Sequence, residues 1–265
     1  MKPPRPRAEA TGSTEPTRIL DWRHPRVTDL IRSVGAACPD SPDSSFSSGQ
    51  LAALRRAHGR IAATVRPVYS VQDERPVSEV LRRGRGSCSQ RLAILEAVAR
   101  ATGVPTRVRG LLVDGAFWHP RFPGLRRLVP DEVLLAWPEF RFDERAHGLD
   151  SGTPWLPVSE LFGGLDELSA RRATGFTNAG AETLFEALSR TAVDWDGATA
   201  CAADAASCDL SAHVRTDLGH FDSRDDLFAR HGQTLCGPAR WVAEPVLGRR
   251  SAGARVSAAP LTPTG

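Results

Sequence analysis

Between Leu51 and Val65 the apolar residues Leu51, Leu54, Ile61 and Val65 recur at helical spacing, which predicts an amphipathic helix. His24 to Val34 reads as a shorter helix, and Val77 to Leu81 as a helical turn. Leu92, Leu95 and Val98 then mark a further helix, preceded by Ser87-Cys88-Ser89-Gln90. A Ser followed three residues later by Gln predicts a capping box. The Ser87 hydroxyl would take the Gln90 N–H, and the Gln90 side chain would reach back. Cys88 becomes the first residue of that helix, on its core-facing stripe. Gly103 ends the helix and Pro105 prevents its continuation.

After Pro105 the period changes from helical to alternating. Thr106 to Val113 reads as a strand, with Val108 and Leu112 on one face and Arg107 and Arg109 on the other. A long loop with three prolines leads to a second strand, Glu132 to Phe142. Its Pro138 lacks an N–H, so the strand must be an edge or bulged there. Pro154 to Phe162 predicts a third strand turning into a helix start. From about Leu165 the pattern is helical again, through "GGLDELSARR", "AGAETLFEALSRTAVDW" and "SRDDLFARHG". The ends, 1–18 and 248–265, are rich in Pro, Ser, Gly and Ala and read as disordered tails. These elements predict an α+β fold: a helix-borne cysteine on a small antiparallel sheet over 19–164, with a helical extension over 165–247.

Composition narrows the function classes. A chain of 265 residues holds one large domain, or a domain with an extension. No apolar run approaches the roughly 20 residues of a membrane span, and the N-terminus lacks the apolar region of a secretory signal. A cytoplasmic protein without membrane contact is expected. The net charge is +3 and Lys2 is the only lysine, so the positive charge is nearly all arginine. With abundant Ala, Gly and Pro, this reads as the coding bias of a GC-rich bacterial genome. The arginines are dispersed among acids rather than clustered, so no nucleic acid partner is expected. "GRG" lacks the Lys-Ser/Thr of a phosphate loop.

Five cysteines at irregular spacing do not suggest a disulfide framework. Cys201, Cys208, His213, His220, His231 and Cys236 gather metal-ligand types near the C-terminus. None forms the close pairs of a structural zinc site, and no metal is expected. Cys88 is the residue that points to chemistry. A thiol at a helix start feels unpaired N–H groups and the positive end of the helix dipole, which favour thiolate. The competing reading is a small buried hydrophobe.

A cysteine opening a helix, then a strand, then a strand carrying Ala-Trp-x-Glu resembles the transglutaminase-like superfamily. The match rests on Gly86, Cys88, "GVPTRV" (103–108), "LAWPEF" (135–140) and "WLPVSE" (155–160). The resemblance implies a papain-like core, a transglutaminase-like domain, with Cys88 as nucleophile in acyl transfer or amide hydrolysis. It implies a peptide or small amide substrate and no organic cofactor. In such domains a histidine opens the second strand motif and an aspartate closes the third. Here Leu135 stands at the histidine position and Ser159 at the aspartate position. Three readings follow. His119, on the loop joining the two strands, could serve as the base. Cys88 could act through the helix dipole alone. Or the domain could be a catalytically degenerate scaffold that binds a ligand in a groove lined by Trp118, Trp137 and Trp155.

Overall fold

The computed structural model describes residues 10–35, 46–122, 126, 129–142, 155–171, 175–180, 182–199, 208–232 and 234. Four helices come first: α1 (Pro25–Ser33), α2 (Phe46–Thr64), α3 (Val77–Arg83) and α4 (Cys88–Ala101). Two short strands, β1 (Arg66–Pro67) and β2 (Arg85–Gly86), pair in parallel immediately before α4. The main sheet holds β3 (Thr106–Asp114), β4 (Glu132–Phe140), β5 (Leu156–Pro157) and β6 (Val214–Phe221). Its order is β5-β4-β3-β6, antiparallel throughout. Between β5 and β6 lie α5 (Leu165–Arg171) and α6 (Leu184–Ala187), and α7 (Arg224–His231) follows β6. The fold is α+β.

Helix α4 is the centre of the molecule. Every residue from Gln90 to Ala101 is buried, so the single core-facing stripe read from the sequence is too narrow. The three charged residues of this stretch are buried with fixed partners. Arg91 meets Glu186 at 2.9 Å and Thr183 Oγ1 at 3.2 Å. Glu96 is ion-paired to Arg224. Arg100 donates to Thr106 Oγ1 and to the carbonyls of Glu15 and Asp222. A buried guanidinium left unpaired would be strongly unfavourable, so these partners let the helix sit inside the core.

The segment expected to be wholly helical supplies a strand instead. β6 pairs with β3 along its length, with register shifts near Gly110 and Leu112. Val214, Thr216 and Leu218 do alternate, but Arg215, Asp217 and His220 dilute the apolar signal. Long-range pairing decides the conformation there. The expected third strand is only the two residues of β5, followed by a 3-10 turn, Val158–Glu160. Pro138 sits opposite Val108 just beyond the residues that β5 pairs, so β4 is an edge on that side.

At the N-terminal end, 10–18 lie against the core although their composition resembles a tail. Ser13 bridges Thr106, and Ala10 is buried. The 248–265 tail lies outside the described residues.

Candidate functional site

The capping box opens α4 as the sequence predicts. Ser87 Oγ accepts from the Gln90 N–H at 3.2 Å, and Gln90 Oε1 accepts from the Ser87 N–H at 3.0 Å. Gln90 Nε2 also donates to Ser70 Oγ and to the Gln72 carbonyl, tying the loop before α3 to the helix start. Gly86 is required beside it, because a Cβ there would come within 2.8 Å of Val80. Cys88 is the first helical residue and a free thiol.

Cys88 lines a cavity of ≈ 140 Å³. Val68, Phe117, Trp118, Leu134, Leu135 and Leu184 form its apolar wall, and Ser70, Asp73, Ser87, Ser89 and Thr183 add polar groups. Arg121 also lines it, but its guanidinium donates to Asn178 Oδ1 and to the carbonyls of Gly180 and Glu182. Leu135, at the strand position where the resemblance places a histidine, is therefore in the same cavity as the thiol. No histidine lines that cavity among the described residues.

The surroundings of Cys88 favour its thiol over its thiolate. Burial pushes the Cys88 thiol up to about 12, and Glu186 adds to the rise. Arg91, Arg224 and the Phe185 backbone N–H work the other way without overcoming it. The positive end of one helix offsets only part of this desolvation.

Helix α6 walls the cavity on the side of the thiol, through Thr183 and Leu184. It has its own capping box between Thr183 and Glu186. Arg91 holds it through Glu186 and stacks over the Phe185 ring, 4.4 Å from its centroid. From α2, buried His58 places Nε2 at 2.6 Å from the Phe185 carbonyl. A carbonyl only accepts, so Nε2 carries the proton. Burial lowers the His58 pKa, keeping the ring neutral. His58 and Arg91 carried no signal in the sequence, because their partner is more than 90 residues away.

Beneath the cavity, Arg224 of α7 pairs with Glu96 and donates to Ser89 Oγ at 3.0 Å and to the Ala136 carbonyl at 3.2 Å. Burial raises the Glu96 pKa despite the guanidinium. Arg224 thus links α4, β4 and α7 directly behind the residue that follows Cys88.

Residues 46–159 match the family model of the Transglutaminase-like superfamily. That stretch is a transglutaminase-like domain. No curated protein and no solved structure matches the chain. The matched stretch holds α4, β3, β4 and β5, while α6, β6 and α7 lie beyond it. The transglutaminase-like domain is therefore completed by a strand, a cavity wall and the Arg224 anchor from outside its own segment.

The remaining expected site residues separate. Trp118 lines the cavity. His119 sits half-buried on the same 3-10 segment, Gly115–Arg121, and is not part of the lining. Trp137 is buried edge-on to Trp195, their centroids 5.8 Å apart. Trp155 packs under the guanidiniums of Arg107 and Arg141 at the other end of β4. Ser159 is buried in the turn after β5. Glu139, the acid of the "LAWPEF" motif, takes hydrogen bonds from Arg107 at 2.6 Å and His220 at 3.1 Å. Burial works against its charge, but those bonds hold its carboxyl below the usual range.

Cys208 is disulfide-bonded, contrary to the expectation from cysteine spacing. Distance along the chain does not report which Cβ atoms approach within bridging range. No group of metal-ligating side chains occurs among the described residues, and none of their helices is long and apolar enough to cross a membrane.

Proposed function

We propose that this transglutaminase-like domain is a binding module, holding a small amide or peptide group in the Cys88 cavity without acyl transfer at neutral pH. The observation that carries the reading is that Leu135 shares the Cys88 cavity, with no imidazole lining it among the described residues. Acyl transfer by a thiol needs a thiolate and a proton donor for the leaving group. Leucine supplies neither, and a thiol pushed up to about 12 is almost wholly protonated at pH 7.

A second reading, thiol-dependent acyl transfer or hydrolysis through Cys88, is favoured by one feature. The sulfur opens a capped helix and meets the Phe185 backbone N–H. His119 would be the base, after movement of the 3-10 segment toward the cavity.

Alkylation of Cys88 by iodoacetamide across pH 5 to 10 separates the two. The binding reading expects a slow rate that rises only in alkaline solution, unchanged by His119→Ala. A plateau of reactivity below neutral pH, lost in His119→Ala, would overturn it and establish the paired thiol.

A further inference from the structure

We propose that the Cys88 cavity takes an uncharged, single-ring carbonyl compound, with its ring against Trp118, Leu135 and Leu184 and its carbonyl oxygen on the Ser89 hydroxyl. This rests on the binding reading above and names the chemistry of the ligand.

Size sets the first limit. At ≈ 140 Å³ the cavity is close to the engineered apolar cavity of about 150 Å³ that accepts benzene. One ring or one branched acyl group fills it, and the rest of any larger ligand would lie outside.

Charge sets the second. Among the described residues the only cation in the lining is Arg121, and its nitrogens are engaged by Asn178, Gly180 and Glu182. The only carboxylate lining it among those residues is Asp73, which accepts from Ser87 Oγ at 3.5 Å. An anion would enter without a free cation and beside that carboxylate. A cation would lose its hydration for a carboxylate already engaged. Burying an unpaired charge is far more unfavourable than burying an amide that finds one hydrogen bond.

Ser89 sets the polar end. Its Oγ accepts from Arg224 Nη1, which occupies a lone pair and leaves the hydroxyl proton to donate. No acceptor among the described residues takes that proton. The buried guanidinium withdraws electron density from the oxygen and strengthens the O–H as a donor. A carbonyl oxygen is the matching group, and the protonated Cys88 lies beside it on the same cavity wall.

Isothermal titration calorimetry of the full chain tests this with benzamide, benzoate, benzylamine and toluene. Benzamide should bind at least about tenfold more tightly than benzoate and benzylamine. Ser89→Ala should weaken benzamide by about three- to tenfold, the loss of one neutral hydrogen bond, and leave toluene unchanged. Leu184→Trp should fill the cavity and abolish both. A thermal melt checks that this variant folds, and Ser89→Ala carries the test if it does not. Equal or tighter binding of either charged probe, an equal effect of Ser89→Ala on toluene, or no binding of benzamide overturns the proposal. The alkylation profile reports separately on the thiol: a reactive Cys88 with the benzamide preference intact overturns only the non-catalytic reading.

Discussion

Leu135 lines the same cavity as Cys88, one strand position bringing an isobutyl group where a base would be needed. Leu135→His places an imidazole in that wall. The rate of Cys88 alkylation at pH 7 should rise at least about tenfold, because an imidazolium neighbour favours the thiolate. An unchanged rate would show that the side chain at 135 does not reach the sulfur.

The raised thiol pKa has a consequence for stability. Below the pKa of a free thiol, near 8.5, Cys88 is protonated in both the folded and unfolded chain and contributes no pH dependence. Above it the unfolded chain releases the proton, while the folded chain holds it up to about 12. Stability should therefore fall between about pH 8.5 and 12. Urea unfolding of wild type and Cys88→Ala at pH 8 and pH 10 measures it. The decline attributable to Cys88 should be absent in the variant.

The Arg224–Glu96 pair is wholly buried. Arg224→Met leaves Glu96 without its cation, and should destabilise by about 3–5 kcal/mol in urea unfolding. Glu96 is then expected to become neutral, so Glu96→Gln in the Arg224→Met background should recover part of the loss. Strict additivity of the two single variants would argue that they do not interact.

Arg91 grips α6 through both Glu186 and Thr183. Arg91→Met should loosen that wall without dissolving the sheet. Hydrogen exchange should accelerate selectively over 183–188, the segment that Arg91 ties to α4. Uniform acceleration across the chain would instead indicate global destabilisation.

Gly115 starts the connection from β3 to β4, and its N–H donates to the Asp131 carbonyl at 2.8 Å. A Cβ at 115 would run into the Pro130 carbonyl, which is backbone and cannot swing aside. Gly115→Ala should therefore cost about 1–3 kcal/mol, an overpacking penalty. Gly59→Ala, where nothing lies within 4 Å of the added methyl, should be neutral or slightly stabilising because alanine is the better helix former.

The capping box at Ser87–Gln90, the position of Cys88 and the strands from Thr106 and Glu132 follow from local rules: side-chain oxygens near orphan amides, and the switch of apolar period after Pro105. A single sequence expresses these because the interacting residues are within a turn or two of each other. Whether Cys88 is a thiolate could not be read that way. Arg91, Glu186 and Arg224 perturb it, and Leu184 and Leu135 line its cavity, yet only Arg91 is near it in sequence. The same limit hid β6, whose polar residues gain their pairing only from β3 over a hundred positions earlier. It also hid the buried charges of α4, which look like a solvent face until their partners are in place. Local hydrogen bonding and periodicity determined where the elements lie. Desolvation and long-range pairing, which depend on the whole fold, decided what surrounds the cysteine.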